Sequence, residues 1–381
     1  MKTSKVVDVD GHVMEPSDLW ERNLEPQYQD RAFRIRKDPD GKEYMEIEGK
    51  RSRVLNGGGL AFFGSLDPSM QGAWEQNTKP GGLDYEEGVP AGARDMEARL
   101  GWMDEQGIDI ALLYPSLCLG WQNECDDPDL AAAYCRVYND WLTGLCRPYS
   151  DRIVPIAHVS LLRVEDGVTE VRRAAGLGAK GVYLFPVPAN RIPYGDRYYD
   201  PFWAECQDLG LPVGIHVSNT PRHAGHELYQ GGFGQNNWFF NLMYNPDCQI
   251  AFTSFFQGAV FERFPRLSVG VVETGCGWIA HWIYLMDAKY KMMEGKSTEM
   301  KLLPSEYFDR QGWISGEADE KSFPFMAQLV GAHKLMWGSD YPHEEGHGEP
   351  LDEFKETIGC LSQEDQAKIL GENALGIYAI G

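Results

Sequence analysis

The sequence predicts an α/β fold, a distorted (β/α)8 TIM barrel with a long insertion after its first strand. Three observations lead there. Short apolar runs alternate with segments of helical period along most of the 381 residues. That is the pattern of a parallel sheet closed by crossover helices. The chain is long for one domain, but barrels of this kind reach such lengths with insertions. Finally, four of the apolar runs lead into metal-capable side chains: Val6-Val7-Asp8-Val9-Asp10-Gly11-His12, Leu211-Pro212-Val213-Gly214-Ile215-His216, Val269-Gly270-Val271-Val272-Glu273, and Lys334-Leu335-Met336-Trp337 shortly before Asp340. Functional groups of β/α barrels collect at the C-terminal ends of the strands.

The elements follow in order. Strand 1 covers about 5 to 12. Successive side chains on a strand alternate faces, so Asp8, Asp10 and His12 share one face, with Glu15 close behind on the next loop. The domain is single, 1–381, and 17–93 is its insertion. There Phe33-Arg34-Ile35-Arg36 and Tyr44-Met45-Glu46-Ile47 flank Asp38-Pro39-Asp40-Gly41, a β-hairpin signal. The Gly-rich stretch from Asn56 and Pro80-Gly81-Gly82 carry few periodic apolar positions. Long irregular segments tend to be lids or binding loops, so 17–93 is expected to cover the barrel mouth or to form an oligomer contact.

Regular alternation then sets in. A helix over 94–106 shows Met96, Leu100 and Met103 at helical spacing, and strand 2 is 108–114. Asp127-Pro128 opens a helix over 128–148. Strands over 153–159 and 181–185 alternate with helices over 164–176 and 201–209, and strand 5 ends at His216. Residues 218–247 form a second long loop holding His223, His226, Trp238, Phe239 and Phe240. A helix near 247–264 precedes strand 6 and Glu273, a helix over 275–292 precedes a short strand at 313–315, and a helix over 320–330 precedes strand 8. Terminal helices finish the chain.

Composition bounds the partners. A hydrophobic content of 43% suits a chain with a real core. The net charge of −22 argues against nucleic acid or an anionic membrane, both of which need a basic face; the expected partner is a small-molecule substrate. No run approaches the roughly 20 apolar residues of a membrane span. None of the eight cysteines forms a Cys-x-x-Cys pair. The expectation is a cytoplasmic protein with reduced thiols.

Several motifs taken together resemble the amidohydrolase superfamily, in the subgroup of metal-dependent barrels related to aminocarboxymuconate semialdehyde decarboxylase. They are Asp10-Gly11-His12 with Glu15-Pro16, Gly107-Ile108-Asp109, Ile215-His216, Gly258 through Pro265, Glu273-Thr274-Gly275-Cys276-Gly277-Trp278, Gly338-Ser339-Asp340-Tyr341-Pro342 and Ile369 through Ala374. Each is weak alone; their order and spacing carry the likeness over nearly the whole chain outside the insertion. The resemblance implies a homodimer or higher homo-oligomer. It also implies a metal held by Asp10, His12, His216 and Asp340, with Asp340 as the proton-transfer residue. Two departures matter. Relatives often carry His-x-His on strand 1 where this chain has Asp10-Gly11-His12, as in the decarboxylase and lyase branch, where that first ligand is often Glu. Relatives often place His after strand 6, where this chain has Glu273.

The residues themselves leave roles open. Glu273 reads as general acid/base, as an orienter or as a ligand, and His343 as a group facing the site from its loop. Glu15 reads as a ligand or as the partner of a basic residue in the insertion. Asp8 reads as a structural acceptor, and His158 and His281 as packing residues. Carboxylate with imidazole suits Zn, Mn or Fe, and the carboxylate in place of an imidazole favours Mn or Fe in relative terms. The chemistry expected is hydrolysis or non-oxidative decarboxylation of a small aromatic or apolar carboxylic substrate. The alternative is a carboxylate-rich di-iron oxygenase, with Glu15 and Glu273 joining the ligands of two Fe.

Overall fold

The structure is a computed structural model and describes residues 5–53, 84–86, 89–218, 242, 244–296, 298–343 and 348–381. Eight strands form one parallel sheet: β1 (Val7–Val13), β5 (Ile110–Pro115), β6 (Ile153–His158), β7 (Gly181–Leu184), β8 (Val213–His216), β9 (Val269–Val272), β10 (Gly312–Gly316) and β11 (Leu335–Trp337), hydrogen-bonded in that order. Helices connect them, as a parallel sheet requires. The sheet closes where the chain after β11 meets β1: Asp340 N–H donates to the Asp10 carbonyl and His12 N–H to the Tyr341 carbonyl, both at 2.7 Å. A Cβ at Gly338 would overlap the Cβ of Asp10, so glycine allows that approach.

Two apolar layers hold the barrel. Side chains from seven strands, among them Val9, Leu112, Ile156, Tyr183, Trp313 and Met336, meet in one buried cluster, and Tyr378 after the last helix joins it. The larger layer lies between strands and helices. The helix Pro128–Cys146 shows its logic: Asp127 caps it by accepting from the N–H groups of Asp129 and Leu130, Pro128 starts it, and Leu130, Tyr134, Tyr138 and Leu142 are buried.

The predicted hairpin is present as β2 (Arg34–Lys37) and β3 (Glu43–Ile47), with a further strand, β4 (Lys50–Arg51), on its edge. The second turn is Glu48-Gly49, with φ of 54° and 72°. Positive φ at both positions is the hairpin-turn geometry, but Glu-Gly lacks the Asn or Asp that marks such turns in sequence. Residues 54–83 of the insertion and 219–241 of the second loop lie outside the described residues, and with them His223, His226 and Trp238 through Phe240. The expected helix over 320–330 is Phe323–Met326 followed by a wider π turn over Ala327–Gly331. Among the described residues no helix is long and apolar enough to cross a membrane.

Candidate metal centre

Four strand ends converge. β1 brings Asp10 and His12, β8 ends on His216, Glu273 follows β9, and the loop after β11 carries Asp340 and His343. The Nε2 atoms of His12 and His216 stand 3.2 Å apart. Asp10 Oδ1 lies 3.2 Å from His216 Nε2 and 3.5 Å from His12 Nε2. Glu273 Oε2 lies 3.1 Å and 3.4 Å from the same two nitrogens. Asp340 Oδ1 is 3.2 Å from His12 Nε2 and 2.8 Å from His343 Nδ1. Two overlapping groups of four ligand atoms result, Asp10 with His12, His216 and Glu273, and His12 with Glu273, Asp340 and His343, each within 4.8 Å.

The tautomers explain why this is a cation site. His12 Nδ1 is 2.7 Å from the Pro115 carbonyl oxygen and His216 Nδ1 is 2.8 Å from that of Val217. A carbonyl only accepts, so each Nδ1 carries the proton and each Nε2 turns its lone pair inward. Metal-binding imidazoles are oriented in this way, through the nitrogen that does not bind. Two inward lone pairs repel unless a positive charge lies between or beside them. Glu273 Oε2 is buried and makes no hydrogen bond, a costly state for a carboxylate oxygen that a cation relieves. The donor set, three carboxylates and three imidazoles, therefore fits a divalent metal.

The local field agrees. Burial alone would lower the basicity of His216, but Glu273 and Asp10 outweigh it and push the imidazole up to about 10. Burial likewise opposes ionisation of Glu273, yet His216 and His12 hold its carboxyl well below the usual range. His12 is raised and Asp10 lowered in the same way, each against the cost of burial. The carboxylates thus favour positive charge at this point, which protons or a metal ion supply. A cavity of about 260 Å³ beside the cluster has Asp10, Glu273, Ser315, Glu317 and Asp340 in its wall, so the carboxylates face space open to a small molecule.

Two acids from the first strand region stand apart. The ladder of β1 with β5 shifts register between Asp8 and Gly11. Asp8 Oδ1 accepts from the N–H groups of Ser339 at 2.9 Å and Asp10 at 3.1 Å, and Oδ2 from the Ser339 hydroxyl at 2.7 Å. Glu15, expected as a candidate ligand, is not brought into the cluster. Its carboxylate accepts from the backbone N–H groups of Ser116, Leu117 and Cys118 at 3.3, 2.9 and 3.2 Å. The oxygens that a metal would need close the turn after β5 instead. His158 is fully buried and His281 is exposed on the helix Ile279–Met292.

The profile of the Amidohydrolase family matches residues 7–380. The chain belongs to the amidohydrolase family. One amidohydrolase relative, 2-amino-3-carboxymuconate-6-semialdehyde decarboxylase of Dictyostelium discoideum, is 25% identical over 286 residues, 74% of this chain and 76% of that protein. A solved amidohydrolase from Mycobacterium avium subsp. paratuberculosis has the same fold, with a TM-score of 0.81, 25% identity, and coverage of 99% of this chain and 100% of the other. The 5-carboxyvanillate decarboxylase of Novosphingobium aromaticivorans, solved with manganese and 4-hydroxy-3-methoxy-5-nitrobenzoic acid, has a TM-score of 0.68 at 17% identity, over 99% of this chain and 96% of the other. At that distance the likeness is one of fold.

On this amidohydrolase barrel two further residues support the site that sequence reading missed. Arg99 is fully buried, and its guanidinium donates to the backbone carbonyls of Gly92 and His12. Ser116 Oγ lies 3.0 Å from His343 Nε2. Ser116 directly follows β5, a strand-end position that the barrel rule itself marks; Arg99, in the middle of a helix, gives no such signal.

Proposed function

We propose that the chain is a divalent-metal-dependent carboxy-lyase that removes carbon dioxide, without oxidation, from a small aromatic or enoic acid bearing a hydroxyl or carbonyl beside its carboxylate. The observation that carries the reading is the His12–His216 pair, lone pairs facing at 3.2 Å among three carboxylates. The relatives' substrates and the manganese of one related structure support the choice of chemistry. Asp10, His12, His216, Glu273 and Asp340 would hold the ion. A bound divalent ion supplies a Lewis acid for the substrate's carboxylate and its neighbouring oxygen. The protein does the rest. Asp340 holds the proton that passes to the carbon losing its carboxylate, and the C–C bond pair stays on that carbon as it is protonated. Solvent then returns a proton to Asp340. His343 Nδ1, 2.8 Å from Asp340 Oδ1, orients that carboxyl. A hydrolase would use the same groups, with Asp340 taking a proton from water and Glu273 or His343 assisting the leaving group.

A second reading has its own observation. The two ligand groups share Glu273, whose carboxylate can bridge two adjacent ions, and His12, whose one inward lone pair serves a single ion; a bridging Glu273 is what suits a di-iron oxygenase. One experiment separates the readings. Protein purified without added metal is analysed for metal and then incubated with hydroxylated aromatic acids in air and under argon. Carbon dioxide release that is equal in both atmospheres, with about one Mn or Zn per chain, supports the lyase. Two irons and turnover only in air would replace it with the oxygenase.

A further inference from the structure

Ser116, His343 and Asp340 form a hydrogen-bonded row: Ser116 Oγ is 3.0 Å from His343 Nε2, and His343 Nδ1 is 2.8 Å from Asp340 Oδ1. The order is that of a nucleophilic triad, but the surroundings exclude that use. The backbone N–H groups beside the hydroxyl, those of Ser116, Leu117 and Cys118, are engaged by the Glu15 carboxylate. None is left to stabilise an oxyanion. Ser116 is also fully buried.

We propose that Ser116 is a positioning residue: its hydroxyl donates to Nε2, fixes His343 in the Nδ1–H tautomer and so holds the imidazole against Asp340. The chemistry requires this direction. In its ionised form the Asp340 carboxylate accepts only, so Nδ1 is then the donor, and in a neutral ring Nε2 offers a lone pair to which a hydroxyl can donate. The opposite tautomer would turn a lone pair onto Asp340 Oδ1. His343 sits on a loop with its side chain 13% exposed, and the partners at its two ring nitrogens, Ser116 and Asp340, bear on the tautomer. Ser116 is itself anchored, because Glu15 grips its N–H and those of the next two residues. The chain of control thus runs from Glu15 through the turn to Ser116, His343 and the carboxylate that moves the proton.

The structural half of this proposal stands on the hydrogen bonds; only its effect on turnover rests on the proposed lyase reading. The test is the imidazole nitrogen spectrum of the full-length chain carrying 15N-histidine, freed of metal with a chelator. The chain has nine histidines, and loss of one set of signals in His343→Asn assigns His343. The expected wild-type pattern has the proton on Nδ1 and a lone pair on Nε2. In Ser116→Ala both signals move toward their average as tautomers exchange. With metal restored, kcat falls about tenfold while KM changes less than about twofold. Ser116→Thr, which keeps a hydroxyl, restores both. A wild-type His343 protonated on Nε2, once assigned through His343→Asn, overturns the proposal whether or not Ser116→Ala folds, as do signals that stay in place in Ser116→Ala. Shifted signals in a protein that turns over no acid support the role of Ser116 and count against the lyase reading alone.

Discussion

Glu273 and Asp340 reach the same imidazole from the same unusual backbone: each has a φ of 56°, and each sets a carboxylate oxygen near His12 Nε2, at 3.4 Å and 3.2 Å. Left-handed φ in a residue with a Cβ costs roughly 1 kcal/mol or more. The two outliers stand just beyond the strand ends, where the chain turns and both side chains meet one point.

That backbone sharpens the expectation for Asp340. Asparagine tolerates the left-handed region and a β-branched side chain does not. Asp340→Asn is therefore expected to abolish turnover and keep a stability close to wild type. Asp340→Val is expected to lose turnover and roughly 1–3 kcal/mol of stability besides. Urea melts and rates on the same preparations check this. An active Asp340→Asn would remove Asp340 from the proton-transfer step.

Metal content tests the imidazole pair. His12→Ala with His216→Ala is expected to carry no bound metal, whereas the wild type carries at least one equivalent. Elemental analysis after gel filtration decides, and unchanged content in the double variant would sink the proposed centre. His343→Ala adds resolution, since His343 belongs to one of the two ligand groups only. A drop from two equivalents to one places it on a second ion; a constant single equivalent leaves it as the partner of Asp340.

His158 gives a pH dependence remote from the ligands. Burial pushes its imidazole down to about 3 from an ordinary value of 6.5. The fold keeps it neutral, so between those values the unfolded chain binds a proton that the native one does not. Stability is unaffected by this group above pH 6.5 and falls as pH drops from there toward 3. The slope reaches at most about 1.4 kcal/mol per pH unit. The difference in urea midpoint between wild type and His158→Gln should change across that window. A difference constant from pH 8 to 5 would contradict it.

Much of this was legible in the chain, for identifiable reasons. Short apolar runs ending in or just before Asp, His or Glu announced the strands and their functional ends, because a parallel strand buried on both faces reads as a continuous apolar run. The bulge in β1 was not legible: simple alternation puts Asp8 beside Asp10, while the register shift and Ser339 draw it away. Nor was the fate of Glu15, which depends on where the turn after β5, a hundred residues on, presents three N–H groups. Contacts at that sequence distance are set by the closed barrel and leave no local mark.

The Arg99 guanidinium offers a stability test at the barrel seam. Burial lowers its pKa to about 10, and it donates to the carbonyls of Gly92 and His12, with Tyr341 beneath it at 4.6 Å. Arg99→Met keeps bulk but removes the donor to two buried carbonyls, at up to about 1–3 kcal/mol each. The variant should unfold at clearly lower urea and bind metal more weakly, because His12 is tethered through its own carbonyl. Unchanged affinity with lowered stability would separate the seam from the site.

Glu15→Gln distinguishes a ligand from a turn-holder. Burial raises the Glu15 carboxyl, and its own backbone N–H together with those of Leu117, Cys118 and Ser116 pulls it part of the way back. An amide presents one oxygen where the carboxylate presents two, and its NH2 group would point a donor at donors. With both Glu15 oxygens engaged by backbone N–H groups, the substitution should cost roughly 1–3 kcal/mol and loosen Ser116. Metal stoichiometry should stay at the wild-type value, because Glu15 belongs to neither ligand group. A loss of one equivalent per chain would restore Glu15 to the ligand set and make the turn a consequence of metal binding; retained metal with lowered stability would fix its role as the clasp that aligns Ser116, and through it His343, with Asp340.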